Sequence, residues 1–299
     1  MMTVFGTIAL DTTRTPFKTK RMIMGGAATY ASLSSSIFTA TSIVGVIGSD
    51  FPSKYKNILE NRVNTKGIIT VQDAKTFHYD SSFGYDLSHR ISNKIELNVI
   101  ANFEPVIADE YVDSEYVYLA NSDPVQNIKI LDQFSNPKLI VFDTMQHWIS
   151  SKLDDIKKLM SKVDGVVIND EESRLLCQTT NLIKCAKQIV SFGPDFVIIK
   201  KGGNGALFLN RDDVIISSPA YPIEDIVDPT GAGDSFAGGF IGYIAERNNT
   251  SISTMKEAIV YGIVMGGFTV EGFGVQKLLN IKKEDVQRRY ELYRNMINF

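Results

Sequence analysis

The chain has 299 residues, and its 31 Lys and Arg residues nearly balance 34 Asp and Glu residues, for a formal net charge of −3. This length is enough to bury a large α/β core. The near balance of charge excludes a broad basic surface, so we expect no nucleic-acid partner. Hydrophobic residues at 44% and charged residues at 22% are typical of a globular protein.

No apolar run approaches the roughly 18 residues that a membrane span requires. The N-terminal Met-Met-Thr-Val-Phe-Gly also lacks the basic region and apolar core of a secretory signal. We therefore predict a cytoplasmic protein with no membrane partner.

The two cysteines, Cys177 and Cys185, lie eight residues apart. On one unbroken helix they would be roughly 12 Å apart, which is beyond disulfide reach. There is no Cys-x-x-Cys, and the three histidines are far apart in sequence, so no zinc site is predicted.

Short apolar runs alternate with helical patterns, which predicts an α/β fold whose mostly parallel sheet is covered on both faces. The first strand is predicted over 3–10, and a helix begins near Gly26. Further strands are predicted at 41–47, 116–120, 139–142, 163–168 and 196–200, and two helices rich in small residues at 235–246 and 254–269.

Two segments, about 12–24 and 71–103, interrupt this alternation. From Ile95 to Phe103, apolar residues occupy every second position, which predicts a strand with one apolar face. With 76–79 and a turn-rich connection, this predicts a small antiparallel sheet outside the main one. An ordinary surface hairpin is the alternative.

The most informative segment is Asp228-Pro-Thr-Gly-Ala-Gly-Asp-Ser-Phe-Ala-Gly-Gly-Phe240. Its small residues would let the backbone N–H groups of Gly231, Ala232 and Gly233 point at an anion beside a helix dipole. Asp234 would repel a phosphate if binding were the only purpose, which favours a role as the base that accepts a hydroxyl proton. A tightly packed turn with an ordinary helix-start aspartate is the alternative. A dinucleotide fingerprint is disfavoured, because Phe236 stands where its third glycine would be.

Other polar positions carry two interpretations. Spacing by itself favours a helix capping box for Asn169-Asp-Glu-Glu172. Asp11 at a strand end and the pair Gly25-Gly26 are equally typical of turns. Lys200 and Lys201 precede a Gly-x-x-Gly turn and can be solvated charges.

With its flanks, the segment 228–240 resembles the second signature of the ribokinase-like, or PfkB-type, carbohydrate kinase family. Further segments agree with that family in content and order, at 6–11, 25–31, 44–50, 169–172 and 200–206. The resemblance implies a single domain over 1–299 with a three-layer ribokinase-like α/β fold. Its two insertions would form a small β lid, through which a homodimer could assemble.

The resemblance also implies a function, namely ATP-dependent phosphorylation of a hydroxyl of a small sugar. A nucleoside kinase of the same fold is the alternative, and a sugar-binding regulator without activity is a third reading. Asp234 would be the catalytic base and the turn from Gly231 to Gly233 the anion hole. The implied substrate residues are Asp11, Gly25, Gly26, Tyr30 and Asp143; the implied nucleotide residues are Asn169, Lys200, Gly202, Gly205 and Thr230. Glu172 would hold Mg²⁺ through water, and Asp228 would belong to a K⁺ site.

The chain departs from the family pattern at two positions. Tyr30 stands where family members often carry Asn, which puts ribose and fructose in doubt as substrates. Lys200 stands where a threonine is usual, so the nucleotide edge is expected to differ. Four lid aromatics could stack on a nucleoside base or form the lid core: Phe77, Tyr79, Phe83 and Tyr85.

Overall fold

In the computed structural model, which describes residues 1–297, two β-sheets are combined with helices on both faces of the larger sheet. The strands are β1 (Met2–Phe5), β2 (Ala9–Arg14), β3 (Thr19–Gly25), β4 (Thr41–Gly48), β5 (Asn64–Val71), β6 (Phe77–Phe83), β7 (Arg90–Glu96), β8 (Tyr116–Leu119), β9 (Leu139–Phe142), β10 (Gly165–Asn169), β11 (Phe196–Lys200), β12 (Ala206–Asn210) and β13 (Ile215–Ser218). The helices are α1 (Ala27–Ser35), α2 (Ser53–Glu60), α3 (Pro124–Leu131), α4 (Gln146–Ser151), α5 (Leu153–Met160), α6 (Asp170–Cys177), α7 (Leu182–Ser191), α8 (Ala232–Arg247), α9 (Ile252–Val270), α10 (Gln276–Asn280) and α11 (Lys283–Ile297).

The larger sheet has the strand order β13-β12-β11-β10-β9-β8-β1-β4-β5. Pairing is parallel from β5 through to β11, whereas β12 and β13 extend the sheet with antiparallel pairs. The predicted, mostly parallel sheet is therefore confirmed. Strands β1, β8 and β9 are short apolar runs because both of their faces are covered.

Three layers follow from the alternation of side chains along each strand. In β11, Phe196 and Ile198 belong to a core that contains residues of α1, α8 and α9. Val197 and Ile199 belong to a second core with residues of α5, α6 and α7. Successive strand side chains point to opposite faces, so one sheet supports two helical layers.

The smaller sheet is the lid, with the strand order β3-β2-β6-β7. A separate lid sheet is as predicted, but it is not wholly antiparallel, because β2 and β6 pair in parallel. Its exposed apolar residues include Phe17, Tyr85 and Ile91. Dimerisation through this face stays a prediction.

Two predicted strands are wrong in extent. The chain leaves the main sheet after Phe5 and enters the lid at Ala9, so 3–10 forms parts of two strands that lie in different sheets. The strand predicted from Ile95 to Phe103 ends at Glu96, and a 3₁₀ helix follows over Asn98–Asn102. Asn98 has φ 47°, a left-handed conformation that ends a strand.

The predicted separation of the cysteines is also wrong, because the helix is interrupted between α6 and α7. Cys177 Sγ lies 3.6 Å from the carbonyl oxygen of Cys185. Both residues are buried free thiols. Within residues 1–297, no helix has the length and apolar character needed to cross a membrane.

Candidate active site

The candidate site lies at the carboxyl edge of the parallel strands, where the start of α8 meets the sheet. Asp143 directly follows β9, Asn169 ends β10 and Lys200 ends β11. Because these strands are parallel neighbours, their polar end residues meet along one crevice.

The anion turn begins α8, with Gly231 as its N-cap at φ 78°. A Cβ on Gly231 would lie 2.4 Å from the Tyr30 ring, so this position accepts no side chain without rearrangement. The N–H of Ala232 donates to the carbonyl oxygen of Pro229 at 3.2 Å, so the turn itself uses one of the three predicted donors. The first N–H groups of any helix lack intrahelical partners, which leaves this end suited to an anion.

Asp228 holds the turn in place. One of its carboxylate oxygens accepts from the Thr230 N–H at 2.9 Å, and the other accepts from the Gly274 N–H at 3.3 Å. Thr230 in turn places its hydroxyl 3.5 Å from that of Thr13 on β2. The turn is therefore connected both to the segment after α9 and to the lid.

Asp234 is the third residue of α8 and is half-buried. Burial, and after it the charge of Asp143, raises the pKa of its carboxyl to about 6, while Lys200 and Arg90 oppose the rise. At neutral pH the group is mostly ionised, but its pKa is closer to neutrality than that of an ordinary aspartate. A carboxylate of this kind is able to accept a proton.

Asp143 and Lys200 form a buried ion pair beside Asp234. Lys200 Nζ lies 2.7 Å from Asp143 Oδ2, with side-chain exposures of 14% and 4%. Asp143 also accepts from the Tyr118 hydroxyl at 3.2 Å and from the Thr144 N–H at 2.8 Å. Burial lowers the pKa of Lys200, but Asp143, Glu172 and Asp234 outweigh it and raise the pKa above its ordinary value.

Asn169 and Glu172 form a capping box at the start of α6. Glu172 N–H donates to Asn169 Oδ1 at 2.7 Å, and Asn169 N–H donates to Glu172 Oε2 at 3.1 Å. Burial, together with Asp143, raises the pKa of Glu172 to about 7. The capping interpretation is therefore correct, and it also fixes an acidic side chain near the Asp143–Lys200 pair.

Asp11 lies in β2 with 4% exposure, against the glycine pair. A Cβ on Gly25 would lie 1.9 Å from Asp11 Oδ2, and Gly26 is the N-cap of α1 with φ 95°. Burial, then the charge of Asp228, raises the pKa of Asp11 to about 7. Its Oδ1 has no hydrogen-bond partner among residues 1–297. A buried acceptor without a partner is suited to a ligand donor.

The remaining predicted residues surround these groups. Tyr30 is 1% exposed behind Gly231, and within the described chain its hydroxyl has no partner. Gly202 and the next residue, Gly203, border open space, since a Cβ on either would meet nothing within 4 Å. Gly205 adopts φ 84° at the end of the same turn. Tyr30 thus backs the anion turn, and the Gly-x-x-Gly turn lies at the open rim.

Sequence reasoning missed two residues of the crevice. Arg90 on β7 places its guanidinium 5.2 Å from the centre of the Tyr79 ring, and its charge lowers the pKa values of Asp11 and Asp234. Nothing in the sequence separates it from other lid cations. Asn121 follows β8 and carries a buried oxygen that finds no partner within 1–297. The sequence signal that could have identified Asn121 is a polar residue shortly after an apolar strand, as for Asp143.

The lid aromatics differ in exposure. Tyr79 and Phe83 are buried at 8% and 9% exposure, so they form the lid core, whereas Phe77 is half-buried. Tyr85 is 83% exposed and lies edge-on to Phe17, with the ring centroids 5.9 Å apart. Of these residues, Tyr85 retains a free ring face.

A doubly covered parallel sheet, a β lid and an anion turn at a helix start define the ribokinase-like class of kinase folds. The sequence model of the pfkB family carbohydrate kinases matches residues 10–282. The chain belongs to this family and is a kinase of the PfkB type.

Two curated relatives and one solved structure illustrate the similarity. The cytidine kinase of Thermococcus kodakarensis is 28% identical over 253 residues, covering 82% of this chain and 89% of the relative. The nucleoside kinase of Methanothermobacter thermautotrophicus is 27% identical, covering 92% and 87% respectively. The structure of Burkholderia thailandensis nucleoside kinase in complex with ADP-inosine matches with a TM-score of 0.80 at 17% identity, covering 99% of this chain and 96% of that one.

Proposed function

We propose that this protein transfers the γ-phosphoryl group of ATP to a hydroxyl of a nucleoside. The observation that carries the proposal is that two carboxylates act on the same crevice beside the anion turn. Asp11 is buried, Asp234 is half-buried, and the charge of Asp234 affects the pKa of Asp11. Asp11 offers acceptor oxygens to neighbouring hydroxyls of a sugar ring. Asp234 accepts the proton of the hydroxyl that attacks phosphorus.

The names of the two curated relatives favour a nucleoside over a free sugar. Tyr30 adds support, because it is buried where family members often carry Asn, and the loss of that amide counts against ribose and fructose as acceptors. A free sugar is the second candidate, because the burial of Tyr79 and Phe83 removes two of the aromatic rings that could stack on a base. The retained Asp234 and Glu172 argue against a regulator without activity.

Mg²⁺ would neutralise charge on the phosphate oxygens. Among residues 1–297 no cluster of three metal-ligating His, Cys, Asp or Glu side chains exists, so the protein would hold the ion mainly through water and the nucleotide. Glu172 fits this role, because it is acidic, buried and oriented by its capping box. Asp228 with Thr230 is the candidate K⁺ site, although Asp228 already accepts two backbone N–H bonds.

The function is tested by measuring ADP release from Mg-ATP with purified protein and a panel of acceptors. The panel contains cytidine, adenosine, inosine and uridine beside ribose, fructose and sugar phosphates, and a reaction without acceptor measures background hydrolysis. We expect one or more nucleosides to exceed every free sugar in kcat/KM by at least about tenfold, or 1.4 kcal/mol of transition-state binding. If a free sugar is the best acceptor, the nucleoside proposal is replaced by a sugar kinase. If no acceptor in the panel raises ADP release above the background, phosphotransferase activity toward these compounds is contradicted.

Glu172→Gln should separate the two roles of Glu172. A glutamine oxygen can accept the same bond from the Asn169 N–H, so the capping box should be preserved. Because burial raises the pKa of Glu172 to about 7, removing its charge should not lower the melting temperature at neutral pH. Loss of the charge should raise the Mg²⁺ concentration needed for half-maximal activity by roughly 10- to 100-fold. Glu172→Ala is the control for capping, and it should lower stability by about 0.5–2 kcal/mol. An unchanged Mg²⁺ dependence in Glu172→Gln would reduce Glu172 to a capping residue.

A further inference from the structure

Lys200 brings a buried positive charge to the start of α8. It is the last residue of β11, and its side chain is only 14% exposed. A Cβ on Gly233 would lie 3.0 Å from Lys200 Nζ, so the ammonium packs directly against the anion turn. Lys200 thus reaches the backbone that begins the helix, rather than extending into solvent.

This position is electrostatically unusual for a lysine. The start of a helix carries partial positive charge and favours anions, and burying an ammonium adds a desolvation cost. Asp143, 2.7 Å away, offsets part of that cost. Pairing with Asp143 alone, however, does not require the ammonium to lie against the helix start. An anion bound at the turn would explain why the Lys200 ammonium lies there.

The charges around the crevice explain why such a cation is needed. Asp143 pairs with Lys200 directly, and the charges of Glu172 and Asp234 also act on its ammonium. A γ-phosphoryl group entering this crevice would meet mainly negative charge. The largest opposing positive charges acting on Asp234 are those of Lys200, on the main sheet, and Arg90, on the exposed lid strand β7. Of these two cations, Lys200 is the one that belongs to the main sheet.

We propose that Lys200 is a catalytic residue whose ammonium contacts the transferring phosphoryl group. The inference rests on the proposed function. In the step, the bond from the γ-phosphorus to the bridging oxygen breaks, and its electron pair leaves with ADP. The acceptor oxygen forms the new bond to phosphorus, and its proton passes to Asp234. Lys200 stays protonated throughout and stabilises charge on the phosphoryl oxygens.

The main test compares Lys200→Met with Lys200→Arg and with Lys152→Met. Lys152 pairs with Asp123 and lies over the Trp148 ring, neither of which is among the site residues named above, so its substitution controls for the loss of a lysine–aspartate pair. With the best acceptor from the panel, Lys200→Met should lower kcat by about 10²- to 10³-fold, the cost of removing one preorganised transition-state donor. The KM for the acceptor should change by less than about threefold, because the phosphoryl contact strengthens in the transition state. Lys200→Arg should recover part of the loss, and Lys152→Met should retain wild-type kcat.

A binding measurement excludes a purely structural role. Calorimetry with Mg-ADP, aluminium fluoride and the acceptor should show that Lys200→Met weakens this transition-state mimic by at least about tenfold, with the affinity for Mg-ADP alone unchanged. Equal affinity of wild type and Lys200→Met for the mimic would overturn the proposal. So would recovery of kcat in Lys200→Met combined with Asp143→Asn, since recovery would mean that Lys200 only neutralises Asp143.

The failure of the inference can be told apart from the failure of the proposed function. If wild type phosphorylates a nucleoside and Lys200→Met does so equally well, only the Lys200 role is wrong. If wild type phosphorylates nothing in the panel, the proposed function is wrong, and inorganic tripolyphosphate then serves as the probe. Calorimetry should still show at least about tenfold weaker tripolyphosphate binding in Lys200→Met, because one buried charge-assisted contact is lost. Unchanged tripolyphosphate binding would reject Lys200 as a phosphate contact.

Discussion

Asp234→Asn should lower kcat for phosphoryl transfer by about 10²- to 10⁴-fold, because the amide cannot accept the proton of the attacking hydroxyl. Asparagine keeps the size of the side chain and its place in the first turn of α8. The affinity for the acceptor should therefore change little. Initial rates of ADP release, measured at saturating acceptor and Mg-ATP, give the comparison.

Asp155→Asn is the matched control for this substitution. Asp155 is also the third residue of a helix, α5, and is half-buried like Asp234, but within the described chain it has no hydrogen bond or ion pair to any of the site residues named above. Asp155→Asn measures the general effect of losing a carboxylate that interacts favourably with the helix dipole in the first turn. If Asp155→Asn keeps the wild-type turnover and Asp234→Asn loses it, the result would support Asp234 as the catalytic base. Turnover that survives in Asp234→Asn would remove Asp234 from that role.

The pH profile of the wild-type enzyme provides an independent check on Asp234. Burial and Asp143 raise the pKa of Asp234 to about 6. A base works in its ionised form, so kcat, measured at saturating acceptor and Mg-ATP to remove the effect of Asp11 on binding, should be level above that pKa and fall about tenfold per pH unit below it. An acid limb that lies near pH 4 would indicate an ordinary carboxylate or a different base.

The second large effect is a gain of stability combined with a loss of binding in Asp11→Asn. The pKa of Asp11 in the folded protein is about 7, above its ordinary value of 3.8, and burial is the main cause. Ionised Asp11 therefore costs folding free energy at neutral pH. Replacing it with a neutral amide should raise the free energy of unfolding by roughly 1 to 3 kcal/mol at pH 7.5.

The sign of the pH dependence follows from linkage. Between about pH 4 and pH 7 the folded state binds more protons at Asp11 than the unfolded state does, so its contribution to stability falls as pH rises. The stability difference between Asp11→Asn and wild type should therefore be small at pH 4.5 and largest at pH 7.5. Denaturant unfolding at both pH values measures it. A difference that is constant with pH would contradict ionisation of Asp11 as the cause.

The same substitution should impair substrate binding, because an amide presents one acceptor oxygen where the carboxylate presents two. Loss of a charge-assisted bond should raise the KM for the acceptor by about 10- to 100-fold. Asp164→Asn is the control, since burial also raises the pKa of Asp164, which precedes β10 at the opposite edge of the sheet. It should change stability without changing KM. A wild-type KM in Asp11→Asn would remove Asp11 from the substrate site.

Much of the fold was predictable because it depends on local patterns. Leu139–Phe142 and Phe196–Ile199 are short continuous apolar runs, which are typical of strands covered on both faces, and strands β9 and β11 have the predicted bounds. The predicted run from 3 to 10 failed for a physical reason. A strand that ends and a strand that crosses into another sheet have the same apolar composition, and only the neighbours available to Ala9–Arg14 decide between them.

The alternation from Ile95 to Phe103 failed in a similar way. An alternation of apolar and polar residues predicts which face of a strand would be apolar. It does not by itself show that the segment forms a strand. Asn98 tolerates a left-handed conformation, and the chain turns there into a 3₁₀ helix. The separation of Cys177 and Cys185 depended on an unbroken helix, and the break at 178–181 brings them close.

The sequence by itself determined the class of fold, the family and the order of the polar segments, because periodicity, glycine turns and motif spacing act over a few residues. Only the tertiary structure decided which of those segments meet. The contact of Lys200 with Asp143 joins residues 57 positions apart, and the contact of Tyr30 with Gly231 depends on the packing of α1 beneath the anion turn. The unpartnered oxygen of Asp11 and the charge of Arg90 above the crevice likewise depend on how the lid covers the sheet. Charge and burial at a site are sums over all neighbours in space, and no local pattern contains them.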